Sequence, residues 1–188
     1  MIRPATSART YRAIYRLLDR VSPVPFDCGM ICGAACCLPQ EEGMGIYLLP
    51  GEDRIHDRHA DWLIWSTQKT SEYEFPASWR GKVHFVRCRK PPRCPRAMRP
   101  IQCRSFPLLP HLTAEGELQL IYDDSELPYC CPLIEEAAEL DPRFIRATYT
   151  AWKHLIRDPL IRDLVEMDSS EREEPEAVLT AEEYARTR

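Results

Sequence analysis

Glycine is scarce in this chain, with 7 in 188 residues. No G-x-G-x-x-G, Walker A or H-E-x-x-H run occurs, which argues against the glycine-rich phosphate cradles of nucleotide-binding folds and against a zincin-type protease. A Rossmann-type dinucleotide or methyl-donor site is disfavoured on the same ground. No stretch matches Cys-x3-Cys-x2-Cys, so a radical S-adenosylmethionine enzyme is not expected. There is no long apolar run to span a bilayer. The opening "MIRPATSARTYRAIYRLLDR" is basic but lacks the apolar stretch of a secretory signal, which predicts a cytoplasmic protein with no membrane partner. No Ser, His and acid arrangement suggests a catalytic triad.

What the chain has is thiol. Of its nine cysteines, four crowd into "FDCGMICGAACC" as Cys28, Cys32, Cys36 and Cys37. Cys88, Cys94, Cys103, Cys130 and Cys131 follow. In a reducing compartment clustered cysteines bind metal or do redox chemistry more often than they form disulfides, and an odd number cannot all pair within one chain. Thiolates are natural ligands for zinc and for iron–sulfur clusters. A short loop gathers several of them at low entropic cost. Gly29 and Gly33 each follow a cysteine, where they allow tight turns and close backbone approach to sulfur. Adjacent side chains diverge on helices and strands. Cys36 and Cys37 therefore share one ion only in an irregular loop, or serve two sites, or leave one thiol free. Buried inert thiols account for one or two cysteines but not for a glycine-containing loop with a doublet.

Between Arg80 and Arg104 stand nine basic residues (Arg80, Lys82, Arg87, Arg89, Lys90, Arg93, Arg96, Arg99 and Arg104) and no acid. Four thiolates on one zinc carry net negative charge, which nearby guanidinium groups offset while donating hydrogen bonds to sulfur. This is the reading for Arg99 and Arg104, the neighbours of Cys103. A phosphate-binding patch and a solvated loop are the alternatives. The formal net charge of −4 and the lack of an accompanying base-stacking motif argue against nucleic acid.

Tyr11, Ile14, Tyr15, Leu18 and Val21 fall at helical spacing, and "SPVPF" then stops the helix. "GIYLLPGEDRI", "DWLIWST" and "KVHFVRC" read as strands, the first turning at Pro50-Gly51. Residues 108–124 read as a hairpin turning near Glu115-Gly116. Asp141-Pro142 opens a helix through Phe144, Ile145, Tyr149, Trp152 and Leu155, which Pro159 interrupts or restarts. The expected fold is α+β: a small, irregular, metal-stabilised domain with short strands or a hairpin and flanking helices. Its parts are an N-terminal helix (1–25), a cysteine-cluster domain (26–135), a helical segment (136–167) and an acidic mobile tail (168–188), within which Thr180–Glu183 forms a short capped helix.

"CGMICGAACC", "GIYLLPGE", "CPRAMRPIQCRSFPLLP" and "CCPLI", in that order, resemble the YkgJ-type cysteine-cluster family of zinc- or iron-chelating domains. The match spans roughly 26–135, and Arg99, Pro100, Cys103, Arg104, Phe106 and Pro107 fill the family's Arg-Pro-x-x-Cys-Arg-x-Phe-Pro stretch. The first cluster has three residues in each gap, where many members have two. The resemblance implies metal ligation by Cys28, Cys32, Cys36, Cys37, Cys88, Cys94, Cys103 and Cys131, with Cys130 extra. The expected function is a metal-binding protein holding zinc or an iron–sulfur cluster. The alternatives are a protein-modifying enzyme scaffolded by the metal, since flagellin lysine N-methylases carry a related cluster, and a module binding an anionic partner through residues 80–104.

His56 and His59 are three apart, a spacing zinc accepts, but their charged neighbours predict a solvated face. His84 and His111 read as structural, and His154 as part of the C-terminal helix surface. Glu52 reads as a helix-start carboxylate or a hydrogen-bond acceptor behind the cluster, and Trp62 and Trp65 as core.

Overall fold

Helix α1 (Ala8–Leu18) starts where the sequence supplies a cap: Ser7 Oγ accepts from the Thr10 N–H at 3.1 Å in a computed structural model. The structure describes residues 3–38, 45–89, 91–136, 138–172 and 175–186; Lys90, counted above among the basic residues, lies outside them. Helix α1 buries Tyr11, Ile14, Tyr15 and Leu18. Val21 lies beyond its end, half-buried. Helix α2 (Gly29–Cys32) is a single turn that ends at Gly33, whose φ of 64° is left-handed. Ala34 is also left-handed at 59°, and a tight turn over Ala35–Cys37 follows.

Strands β1 (Ile46–Tyr47), β2 (Leu63–Lys69) and β3 (Lys82–Cys88) form an antiparallel sheet in the order β1-β3-β2. Its register sets Leu63 opposite Cys88. Helix α3 (Ile101–Ser105) leads into a second antiparallel sheet, with β4 (Leu108–Leu112), β5 (Leu118–Tyr122) and β6 (Ala177–Leu179) in the order β4-β5-β6. The β4–β5 turn passes through Gly116, whose φ of 81° suits a residue without Cβ.

After the short α4 (Pro132–Glu135), helix α5 (Pro142–Leu155) begins as its sequence dictates, with Pro142 in the first turn and Asp141 accepting from the Arg143 N–H. Asp158 does the same for α6 (Pro159–Ser170), so Pro159 restarts the helix. Asp158 is buried and also accepts from the Thr6 N–H at 2.6 Å, fastening the N-terminal segment to the junction between α5 and α6.

The main core lies between α1, α5, α6 and the second sheet; Tyr11, Ile101, Leu108, Leu120, Phe144, Leu155 and Ile161 are its inaccessible centre. Full burial of side chains of this kind contributes about 1.5–3 kcal/mol each before entropy is counted. A smaller cluster of Leu48, Trp62, Leu63 and Val86 backs the first sheet, with Cys88, Cys94 and Met98 packed against it.

The architecture is thus mixed α and β, with two small antiparallel sheets and several helices. Among the described residues, no helix is long and apolar enough to cross a membrane. The acidic segment after Met167 differs from the expected tail. Helix α6 continues to Ser170, β6 pairs with β5, and α7 (Ala181–Arg186) stacks Tyr184 on Tyr149 at 4.3 Å. A few apolar side chains, Leu179 and Tyr184 foremost, suffice to dock an otherwise polar segment. The capping box expected at Thr180–Glu183 is present: each residue's side chain accepts from the other's backbone N–H.

Candidate functional site

The cysteines converge. Cys28, Cys36, Cys37, Cys88, Cys94 and Cys103 line one cavity of about 460 Å3. A smaller cavity of about 20 Å3 is walled by Cys28, Cys32, Cys36, Cys130 and Cys131. All nine thiols therefore border one of two cavities, and Cys28 and Cys36 border both. They arrive on five separate pieces of backbone: the α2 turn, the Ala35–Cys37 turn, the end of β3 with the loop after it, α3, and the entry to α4. None of the nine forms a disulfide.

Two thiol pairs are already in contact. Cys36 and Cys37 have their sulfurs 4.0 Å apart. Accepting the Cys36 hydrogen bond lowers the Cys37 thiol to about 7, with help from the Arg99 charge, while Cys36 rises as the donor. Cys88 and Cys94 repeat the arrangement. Cys94 accepts from Cys88 and from Arg99, whose Nε lies 3.0 Å from its sulfur, and its thiol falls to about 6. Cys88 rises correspondingly. In each pair the donor's thiol is raised and the acceptor's lowered, which favours the thiolate at Cys37 and Cys94.

Cys103 is pushed up to about 12 by desolvation and by the charges of Cys37 and Cys94. Its side chain is nonetheless accessible, because what it faces is the cavity. Burial also raises Cys28 and Cys131. Among the described residues, no three His, Cys, Asp or Glu side chains are drawn together closely enough to enclose an ion. The donor set fits a soft metal in its chemistry: sulfur ligands, two of them with lowered thiol pKa values, and a guanidinium already hydrogen-bonded to one.

Arg99 is where the sequence places it, on a sulfur. Arg104 is a correction. It donates to the Ala97 carbonyl and to Asp19, and its guanidinium lies 4.9 Å from the Tyr15 ring centre. Helical geometry is the reason, since Arg104 follows Cys103 on α3 and neighbouring side chains there point different ways.

Glu52 opens the turn Glu52–Ile55 and is also an acceptor, the two roles read from the sequence. Fully buried, it accepts from the Tyr15 hydroxyl at 2.6 Å, the Leu49 N–H at 3.0 Å and the Ile101 N–H at 2.8 Å. Burial raises its carboxyl, and those three bonds with the Arg104 charge pull the other way. Ile101 opens α3, whose N-cap Pro100 has no side chain to offer its free N–H groups. Glu52 takes that role from 49 residues upstream and so positions the helix that carries Cys103.

His56 is buried, not solvated, and its Nε2 lies 2.9 Å from the Tyr15 hydroxyl. Tyr15 donates to Glu52, so its oxygen accepts from the His56 Nε2–H and leaves Nδ1 bare, without a hydrogen-bond partner among the described residues. His59 is exposed as expected. His84 is buried, and its Nε2 lies 2.7 Å from Arg58. Trp62 is core, while Trp65 is half-buried beneath the Arg58 guanidinium.

Among the cavity residues that the sequence reading did not single out are Asp168, on α6, Arg172 just beyond it, and Tyr47, on β1. Nothing in the local sequence marks any of them. Compared with known proteins, the chain matches no family model, no curated protein and no solved structure.

Proposed function

We propose that the chain is a cytoplasmic metal-binding protein that holds zinc or an iron–sulfur cluster through Cys28, Cys32, Cys36, Cys37, Cys88, Cys94, Cys103 and Cys131. One observation carries the reading: thiols from five separate backbone pieces border two adjoining cavities, with none of them in a disulfide. Packing alone gives no reason for nine thiols to share one region. The YkgJ-type resemblance of residues 26–135 supports the same reading.

A bound metal would supply a cross-link between the N-terminal loop, the 88–103 region and the 130–131 turn, and an iron–sulfur cluster would add electron transfer. The chain's own residues prepare for it. Arg99 holds Cys94 as thiolate, Cys36 and Cys88 hold their partners, and Glu52 fixes α3 and with it Cys103. Between Cys130 and Cys131, the second is the ligand in this reading. Cys131 is buried against the main core, whereas Cys130 is exposed.

Purification without oxygen, followed by metal analysis and a visible spectrum, tests this. Zinc in stoichiometric amount with a colourless protein supports the structural site. Iron with acid-labile sulfide and a brown colour supports the cluster. A folded protein free of both and indifferent to chelators overturns the reading.

A further inference from the structure

A closed thiolate zinc site takes four sulfurs, and an iron–sulfur cluster is held by four cysteines. The eight proposed ligands are therefore twice what one such centre uses. The two adjoining cavities divide them in the same proportion.

The small cavity is bordered by Cys28, Cys32, Cys36, Cys130 and Cys131. Cys130 is exposed and hydrogen-bonded to Glu135, which leaves a quartet. Cys28 and Cys32 stand four apart, at the cap and the end of α2, a spacing that puts two side chains on one face. The larger cavity is bordered by Cys37, Cys88, Cys94 and Cys103, none of which reaches the small one. Cys28 and Cys36 touch both, but the doublet divides: Cys36 borders the small cavity and Cys37 does not. Divergence of adjacent side chains is the reason.

Electrostatic surroundings follow the same division. Among thiol charges, those acting most on Cys103 are Cys37 and Cys94, and those on Cys88 are Cys94, Cys103 and Cys37. Cys28 and Cys131 each feel Cys32. Cys36 stands at the join, between Cys37, Cys28 and Cys103. Size separates the two as well. The small cavity, at about 20 Å3, has room for about one water-sized guest, so it suits a single ion and not a cluster with its bridging sulfides.

We infer that the chain carries two separate four-thiol centres: Cys28, Cys32, Cys36 and Cys131 around one zinc ion, and Cys37, Cys88, Cys94 and Cys103 around a second metal ion or cluster beside Arg99. The inference rests on the metal reading and gives it a stoichiometry. One centre ties α2 to the entry of α4, and the other ties β3 and the loop after it to α3. The Ala35–Cys37 turn gives one sulfur to each.

Metal analysis of the protein purified without oxygen should find one zinc per chain that Cys131→Ser removes and Cys103→Ser leaves in place. Cys103→Ser should remove the remaining metal, and the double variant all of it. The unmodified protein gives a second measurement, which decides even if a variant fails to fold. Stripped stepwise with a chelator and alkylated with iodoacetamide at each step, its thiols should become reactive as two sets of four in a mass spectrum, with Cys36 in one set and Cys37 in the other. Loss of all metal through either single variant, or release of all eight thiols together, overturns the two centres and leaves the metal reading standing. Iron as the only metal does the same. A folded chain free of metal overturns both.

Discussion

His56 and Asp168 act on stability in opposite senses across one pH window. Burial depresses His56 from 6.5 to about 4, so the folded protein refuses a proton that the unfolded chain accepts. Stability from this residue is fully present above pH 6.5 and is lost as the pH falls towards 4, by on the order of 3 kcal/mol. Asp168, facing Arg172, Glu171 and Tyr47, is raised from 3.8 to about 6 by burial. The folded state therefore gains a proton first, and stability rises as the pH falls from about 6 to 3.8. Urea unfolding at a series of pH values between neutral and about 4.5 should show His56→Gln flattening the acid loss and Asp168→Asn steepening it.

Glu52→Ala leaves the Tyr15 hydroxyl and the Leu49 and Ile101 N–H groups buried without an acceptor, a loss on the order of 3 kcal/mol or more in the same assay. The burial of Glu52 and the groups it serves were not legible in the sequence, because two of its partners lie 37 and 49 residues away. A carboxylate after Pro50-Gly51 reads as a surface helix start. Only the fold turns it inward.

At the scale of elements, strand and helix identity came through where side-chain periodicity carried it. Helix α1 has Tyr11, Ile14, Tyr15 and Leu18 on one face, and α5 has an Asp-Pro start and a buried stripe through Phe144 and Trp152. Strand β6 was hidden because its pairing with β5 is made by backbone, and Ala177–Leu179 sits in acidic surroundings that look like a solvated tail. Tyr184→Ala tests that docking. It removes the stack on Tyr149 and the hydroxyl contact with Thr150, and should cost about 3 kcal/mol by thermal or urea unfolding. At the junction of β1 and β3 there is no room for a side chain on Gly45, where a Cβ would lie 2.5 Å from the Val86 carbonyl oxygen and 2.5 Å from Arg87 Cγ. Gly45→Ala should destabilise the first sheet by about 1–3 kcal/mol.

For the whole molecule, the cysteine pattern predicted convergence, and the fold brings the thiols to one region. Its details were beyond the sequence: which thiols pair, and that Arg104 serves Asp19 and Tyr15 while Arg99 serves sulfur. Those depend on side-chain direction within turns that spacing does not specify. If a metal ties these segments, chelation should lower stability by several kcal/mol and open residues 26–38 and 91–99 to proteolysis ahead of the α1–α5 core. Cys131→Ser should reduce bound metal, and Cys130→Ser should leave it unchanged.

Cys28 and Cys131 border the same small cavity although roughly 100 residues separate them. On a ribosome the first thiols emerge about 5–20 s before the last one exists. During that interval the incomplete pocket has sulfur to offer and no way to close. If these thiols hold a metal, the order of translation makes its loading an event that follows synthesis of Cys131.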